Sequence, residues 1–169
     1  TGADLGIIFD TDVDRSAAVT SEGKPISRNA IVALAAAIGA DDYPGGTVVT
    51  DSITSNELHT FLEDKLGLKH LRYKRGYKNV INKAIELSKE GENAFLAIET
   101  SGHAAYSDNY YLDDGAFLAV QTIINAANLK KEGKGIEHMI ATLAEPAESV
   151  EIRFNLTTDN FGEVGDKIL

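Results

Sequence analysis

The sequence predicts an α/β fold, a three-layer sandwich in which helices flank a mixed, mostly parallel sheet. Short apolar runs alternate along the chain with longer segments whose apolar residues have helical spacing. The connections are long enough for strand–helix–strand crossovers, which join parallel strands. With 169 residues and 43% hydrophobic content, the chain can also bury the core of one ordinary domain.

The strands are predicted from short apolar runs bounded by turn-forming residues. Residues 5–9 are expected to form a buried strand, and residues 16–20 to pair back on it as a hairpin arm before a turn at 21–25. Near the end of the chain, alternating apolar and polar residues predict a half-exposed strand. The remaining strands are therefore predicted at residues 47–50, 69–75, 94–98 and 150–156.

Helices are predicted where apolar residues recur every three or four positions between cap signals. The segment Thr54-Ser55-Asn56-Glu57 has the form of a capping box. Asp113 or Asp114 is expected to cap the longest helix, which should bury Phe117, Leu118, Val120 and Ile124. The predicted helices cover residues 28–38, 55–66, 77–89, 114–131 and 136–143.

Composition and charge narrow the functional classes. The net charge of −10 and the pI near 4.8 argue against a nucleic-acid partner, which requires a basic surface. No apolar run approaches the roughly 18–20 residues of a membrane span. Because cysteine is absent and no signal peptide is visible, we expect a cytoplasmic protein. The chain begins with Thr1 rather than Met, which suggests part of a longer protein or a processed product.

Three alternating aspartates follow the first predicted strand. A loop that curls after the strand would let oxygens of Asp10, Asp12 and Asp14 converge on one Mg²⁺ ion, which prefers oxygen ligands. Arg15 adds a planar guanidinium group, which can donate two parallel hydrogen bonds to a phosphate. The alternative is a solvated acidic loop with local backbone hydrogen bonds. An EF-hand is excluded, because its sixth position is Arg15 instead of Gly and its twelfth is Ser21 instead of Glu.

A polar loop follows the strand predicted at residues 94–98. Glu99 and Ser101 could hold sugar hydroxyls, and Gly102 would let the backbone approach closely. His103 could bind a hydroxyl or move a proton. An ordinary polar turn is the alternative interpretation.

A basic cluster surrounds Gly76 in this otherwise acidic chain. A glycine before a helix start allows an anion site through free N–H groups and the helix dipole, although a solvated strand end fits as well. All three segments follow predicted strands, and ligands in such folds gather at the carboxyl ends of the strands. The cluster consists of Arg72, Lys74, Arg75 and Lys78.

Together and in this order, the three segments resemble motifs of the α-D-phosphohexomutase family, which includes phosphoglucomutase and phosphomannomutase. Asp10-Thr11-Asp12-Val13-Asp14-Arg15 resembles the family's D-G-D-x-D-R metal loop, with Thr11 in place of Gly. Residues 73–78 are similar to its T-x-V-G-x-K/R segment. Residues 99–103 resemble the end of its G-E-x-S-G-H sugar-recognition loop, with Ile98 in place of the first Gly.

The resemblance implies an enzyme that interconverts hexose 6-phosphate and hexose 1-phosphate through a hexose bisphosphate. Its ligands would be hexose phosphate, hexose bisphosphate and Mg²⁺, and no nucleic acid or membrane partner is expected. The implied metal ligands are Asp10, Asp12 and Asp14. The implied catalytic residues are Arg15, Lys78 and His103, and the implied substrate-binding residues are Glu99, Ser101, Gly102 and His103.

The resemblance also implies a domain organisation. Residues 1–25 would be the end of the family's second domain with the metal loop, residues 26–147 the third, sugar-binding domain, and residues 148–169 a linker and the start of the fourth. The phosphoserine loop of the family's first domain does not occur in this sequence. We therefore expect this chain to be inactive alone and to work with the remaining domains of the same enzyme.

Two alternatives remain open at this point. A haloacid-dehalogenase-type phosphatase also places D-x-D after an apolar strand and would use Asp10 as its nucleophile, although no convincing downstream Lys and acidic pair follows. A non-catalytic domain that binds a sugar phosphate or a metal would carry the same loops without turnover.

Overall fold

A computed structural model describes residues 2–148, 150, 152 and 160–168 and divides the strands between two sheets. The strands are β1 (Leu5–Phe9), β2 (Ser16–Thr20), β3 (Pro25–Ile26), β4 (Thr47–Asp51), β5 (Lys69–Tyr73), β6 (Leu96–Ile98) and β7 (Ala104–Tyr106). The helices are α1 (Asn29–Gly39), α2 (Asn56–Thr60), α3 (Tyr77–Lys89), α4 (Gly115–Lys131) and α5 (Phe161–Ile168).

The larger sheet has the strand order β5-β4-β6-β7. β4 runs parallel to both β5 and β6, and β7 runs antiparallel to β6. Alternate residues of β4 serve the two faces: Val48 packs with α1 and α4, whereas Val49 packs with α3. The predicted α/β sandwich with a mixed, mostly parallel sheet is therefore confirmed.

The smaller sheet is antiparallel and has the order β1-β2-β3. It confirms the hairpin predicted for residues 5–20 but not the burial of its first strand. Among the described strands, β1 pairs only with β2, and Ile8 and Phe9 are 56% and 41% exposed. The end of the turn predicted at 21–25 lies in β3, where Pro25 pairs with Val19.

The start of α2 differs from the predicted capping box. The N-cap is Ser55, whose Oγ accepts a hydrogen bond from the Leu58 backbone N–H at 3.1 Å. Thr54 instead donates to the Asp51 carbonyl and accepts from Arg72 Nε, at 3.2 and 3.1 Å. After α2 the chain forms a π-helical segment, Phe61–Lys65.

The longest helix, α4, has the predicted cap and part of the predicted buried face: Leu118 is fully buried and Phe117 packs against the core. Asp114 accepts from the Phe117 N–H at 3.0 Å, whereas Val120 and Ile124 are 54% and 49% exposed. The buried residues of α4 are Gly115, Leu118, Ala119 and Thr122. Because α4 carries apolar residues on most of its circumference, spacing alone does not determine which side packs.

The remaining differences concern element ends. β5 ends at Tyr73 and β6 begins only at Leu96, while β7 was not predicted. The helix predicted at 136–143 is a 3₁₀ segment, Ile136–Ile140. The strand predicted at 150–156 lies largely outside the described residues. Among the residues that the structure describes, no helix is long and apolar enough to cross a membrane.

Candidate functional site

The three predicted segments meet at one edge of the larger sheet. β5 and β6 both run parallel to β4, so the loops that follow them leave at the same edge. The aspartate loop comes from the smaller sheet and reaches this edge through a backbone bridge between Arg15 and His103. The expectation that these loops lie together therefore agrees with the structure.

Gly102 allows the two sheets to approach. Its φ is +102°, and its carbonyl accepts a hydrogen bond from the Ser16 N–H at 3.4 Å. A Cβ atom at this position would lie 2.8 Å from the Ser16 carbonyl oxygen, closer than real side chains come. The close backbone approach predicted for Gly102 is thus made to β2 of the protein itself.

The aspartate triplet forms a compact group of oxygen donors. One oxygen from each of Asp10, Asp12 and Asp14 lies within 4.8 Å of the others. Val13 lies between them at φ +66°, a left-handed conformation that side chains other than glycine rarely adopt. This residue turns the chain between the second and third aspartates.

Arg15 holds Asp10 in its ionised form. Its backbone N–H and its Nε donate to the two oxygens of Asp10 at 3.2 and 2.6 Å. Burial raises the pKa of Asp10, but these hydrogen bonds and the charge of Arg15 outweigh it and hold the pKa below its usual range.

The donor set fits a Mg²⁺ ion. Three carboxylates from one short loop supply the hard oxygen ligands that this ion prefers. Asp14 Oδ1 is buried and has no hydrogen-bond partner among the described residues. Its nearest charged group is Arg15 Nε at 3.8 Å, beyond hydrogen-bond distance, so a cation at this position would satisfy a buried oxygen that lacks a hydrogen bond.

His103 is held from two sides. Its Nδ1 lies 2.7 Å from Asp113 Oδ2, and the ring of Tyr77 stacks on it with centroids 4.7 Å apart and 17° between the planes. Burial raises the pKa of Asp113, although the neighbouring His103 opposes that rise. When Asp113 is ionised, Nδ1–H donates to it, which leaves His103 Nε2 available to a ligand.

A second group of potential ligands adjoins the first. Asp14, His103 and Asp113 also present atoms within 4.8 Å of one another, and Asp113 Oδ1 is buried without a partner among the described residues. Sequence reasoning considered Asp113 only as a helix cap. A strand and a loop separate Asp113 from its partner His103 along the chain, so local sequence patterns could not predict this pair.

Glu99 connects the loop at residues 99–103 to the turn at Gly76. It is only 6% exposed; Oε1 accepts from the Gly76 N–H at 2.6 Å and Oε2 accepts from Ser101 Oγ at 3.2 Å. Ser101 itself is exposed at the surface of the loop. Glu99 therefore sets the distance between two loops of the site.

Replacing Glu99 with alanine is expected to separate these loops. The Gly76 N–H would lose its charged acceptor, which costs about 2 kcal/mol of unfolding free energy. Urea denaturation measures the loss, and amide hydrogen exchange at Gly76 should become faster. Glu90→Ala is the matched control, because Glu90 is an exposed glutamate at the end of α3. Equal stability of the two variants would contradict the structural role of Glu99.

Asp51 is a supporting residue that sequence reasoning missed. It ends β4, is 1% exposed, and accepts from the Thr100 hydroxyl and backbone N–H at 2.9 and 3.4 Å. Burial, with a contribution from the charge of Glu99, raises the pKa of Asp51 despite the hydrogen bonds from Thr100. It anchors the start of the loop at residues 99–103 from the central strand.

The predicted basic cluster divides between two places. Arg72 turns away from Gly76 and donates to the Ser55 carbonyl at 2.7 Å and to Asn56 Oδ1 at 3.1 Å, so it supports the start of α2. Lys78 remains beside the site, exposed, with Nζ 5.8 Å from the ring centroid of Tyr77. Arg72 is therefore not part of the candidate anion site.

Comparison with known proteins identifies the family. A family model described as phosphoglucomutase/phosphomannomutase, alpha/beta/alpha domain III, matches residues 27–146. The chain belongs to this family. The resemblance to the α-D-phosphohexomutases is thereby confirmed.

The individual relatives agree with this assignment. A phosphomannomutase/phosphoglucomutase of Pseudomonas syringae pv. tomato is 29% identical over 158 residues, covering 93% of this chain and 32% of that protein. A phosphoglucosamine mutase of Limosilactobacillus fermentum is 32% identical over 156 residues, covering 89% and 32%. The chain thus spans about a third of the length of the curated relatives it matches.

A solved structure shows the same fold. The crystal structure of a phosphoglucomutase/phosphomannomutase family protein from Burkholderia thailandensis superposes with a TM-score of 0.71 at 27% identity. The match covers 86% of this chain and 30% of that one.

Proposed function

We propose that this chain supplies the metal-binding and sugar-recognition loops of a phosphohexomutase, which interconverts hexose 6-phosphate and hexose 1-phosphate through a bisphosphate intermediate. The observation that carries the proposal is the junction of the two loops. The Arg15–His103 bridge places three carboxylates next to the Glu99–His103 segment in a chain of this family. Relatives include both phosphomannomutase/phosphoglucomutase and phosphoglucosamine mutase, so the proposed substrates are hexose phosphates as a class.

The proposed domain organisation has three parts. Residues 1–25 would complete a preceding domain and bring the metal loop, and residues 26–147 would form the sugar-binding domain. Residues 148–169 would lead into a following domain. β1 belongs to a sheet separate from that of the sugar-binding domain, and it is an exposed edge strand of that sheet. An exposed edge can pair with a strand of another domain, which supports the assignment of residues 1–25 to a preceding domain.

The aspartate loop would serve the phosphate. Asp10, Asp12 and Asp14 would hold Mg²⁺, which when bound neutralises negative charge on a transferring phosphoryl group. Arg15 binds Asp10 through Nε, and its side chain is 45% exposed, so its terminal nitrogens can contact a phosphate oxygen. Lys78 stands exposed at the start of α3 and would add a second positive charge to the same anion.

The sugar loop would position the hexose. Ser101 presents a hydroxyl at the surface, and Glu99 fixes the loop that carries it. With Nδ1 bound to Asp113, His103 would accept or return the proton of a sugar hydroxyl at Nε2. Asp113 and Tyr77 would act as positioning residues for that proton transfer.

The metal site provides the direct test. Mg²⁺ added to the ¹⁵N-labelled chain is expected to shift amide signals of residues 10–15 and of His103, and Asp12→Asn should weaken binding by about tenfold or more because one of three carboxylates is lost. Asp4→Asn is the matched control, since Asp4 is an exposed aspartate paired with Lys130 outside the loop. Equal Mg²⁺ affinity of the two variants would overturn the assignment.

The phosphotransfer proposal has its own test. The chain alone is expected to show no mutase turnover with hexose 1-phosphate and a bisphosphate activator, because the phosphoserine would come from another domain. Adding hexose 1,6-bisphosphate to the Mg²⁺-loaded chain should shift signals of residues 99–103. Turnover by this chain alone would contradict the proposal that another domain supplies the phosphoserine. Bisphosphate-induced shifts at residues outside 99–103 alone would contradict the proposed sugar loop.

A further inference from the structure

The outer edge of β1 can accept a further strand. Among the strands that the structure describes, β1 pairs only with β2, and its sequence, Leu-Gly-Ile-Ile-Phe, contains no charged residue and no proline. Edge strands of soluble proteins usually carry such residues, because they prevent pairing with another chain. The β1 edge lacks this protection.

The longest helix exposes an apolar stripe. Three large side chains of α4 are about half exposed, and two alanines at helical spacing extend the same side of the helix. No charged residue occurs in α4 before Lys130. Contiguous exposed apolar surface of this kind typically marks an interaction site. The α4 stripe consists of Ala116, Val120, Ile123, Ile124 and Ala127.

The stripe and the open edge lie on the same side of the molecule. α4 packs over both β1 and β2, whereas α1, which follows β3, packs on another flank of α4. The exposed stripe is therefore directed toward β1. The helix runs antiparallel to this strand, because Lys130 pairs with Asp4 at one end and Gly115 lies against Arg15 at the other.

We propose that this surface binds a second copy of the chain in a two-fold symmetric dimer. The β1 strands of the two copies would pair antiparallel and join two three-stranded sheets into one continuous sheet. A two-fold axis perpendicular to that sheet leaves both α4 helices on the same face, with their stripes directed at each other.

The spacing of the elements fits this arrangement. Paired strands lie about 4.8 Å apart. Because each α4 lies over both β1 and β2, the two helix axes would be separated by about 10 Å, which is a usual distance between packed helices. Pairing of the strand edges would therefore also bring the two stripes into contact.

The distribution of charge favours the same orientation. The start of α4 adjoins the aspartate loop, and its end carries Lys130 and Lys131. Asp4, near that end, is paired with Lys130. In an antiparallel dimer the basic end of each helix lies toward the acidic loop of the other copy, and the centre of the interface carries no charge.

The dimer uses the edge through which residues 1–25 would join a preceding domain. A strand of that domain and a second copy would compete for β1, so the dimer is expected of this chain alone. The buried area would be on the order of 1,200 Å², at the lower end for specific interfaces, so we expect a dissociation constant in the micromolar range.

Sedimentation equilibrium of the whole chain tests the dimer. At high micromolar concentration the mass should approach twice the 18.1 kDa of one chain. Ile123→Glu should weaken association by about tenfold or more, because it buries an unpaired carboxylate in the helix contact. Ile8→Lys should also weaken it, because it brings two positive charges together across the paired strands. Ile53→Glu is the matched control, since Ile53 is an isoleucine with 55% exposure in the loop after β4.

Single cysteines locate the contact, because the chain has none of its own. Ile124→Cys should form an intermolecular disulfide on mild oxidation, whereas Ile53→Cys at the same concentration should not. Circular dichroism and urea denaturation verify that each variant folds.

The outcomes separate the dimer from other uses of the surface. A wild-type chain that stays monomeric at high micromolar concentration would overturn the proposal, and the surface would then be left to a preceding domain. A dimer that tolerates Ile123→Glu or Ile8→Lys would overturn it as well, because the stripe or the strand edge would lie outside the interface. None of these results depends on Mg²⁺ or a hexose bisphosphate, so failure of the dimer leaves the mutase proposal unaffected.

Discussion

Replacing Gly115 with alanine is expected to destabilise the protein by roughly 3 kcal/mol and to abolish its Mg²⁺ response. Gly115 is the buried first residue of α4, and its Cα faces the aspartate loop at residues 10–15. An added Cβ would lie 2.7 Å from the Arg15 carbonyl carbon, 2.8 Å from the Val13 oxygen and 2.9 Å from the Arg15 oxygen. These are backbone atoms and cannot rotate away, so either α4 or the loop must move.

Both consequences can be measured on the same sample. Urea denaturation gives the loss of stability, and amide shifts of residues 10–15 report Mg²⁺ binding. Gly165→Ala is the matched control, because a Cβ at Gly165 in α5 would meet no atom within 4 Å. An alanine variant at Gly115 that retained both wild-type stability and the Mg²⁺ response would show that the loop does not depend on this contact.

Local pattern determined much of the fold. The helix predicted at 77–89 is α3 with those bounds, because a glycine turn precedes it and Val80, Ala84 and Leu87 form one buried stripe. The meeting of the motif loops was also predictable, since parallel strands present their carboxyl ends at one edge. These features depend on residues that are neighbours along the chain or on the direction of adjacent strands.

The supporting contacts of the site depend on residues far apart in sequence. Asp51 meets Thr100, Asp113 meets His103, and Gly115 accommodates the backbone of Arg15. No spacing rule links residues so far apart in sequence. The local patterns that predicted the loops therefore could not predict the contacts that hold these loops in place. For the same reason the edge position of β1 was not predicted: an apolar run does not show which sheet it joins.

The stability of the protein is expected to fall by about 3 kcal/mol as the pH decreases from 6.5 to 4, through His70 alone. The pKa of His70 is about 4 in the folded protein against an ordinary value of 6.5. Between these values the unfolded chain binds the proton and the folded chain does not. The contribution of neutral His70 to the free energy of unfolding is therefore complete above pH 6.5 and is lost as the pH approaches 4.

His70→Gln isolates this contribution from the carboxylates that titrate nearby. The variant has no ionisable group at position 70, so its unfolding free energy, measured by urea denaturation at successive pH values, should fall less steeply than that of the wild type over this interval. His138→Gln should keep the wild-type slope, because His138 is exposed. If His70→Gln and the wild type had parallel pH profiles, His70 would have to accept a proton in the folded state. The pKa of His70 in the folded protein would then lie near its ordinary value, and burial of the imidazole would not be lowering it.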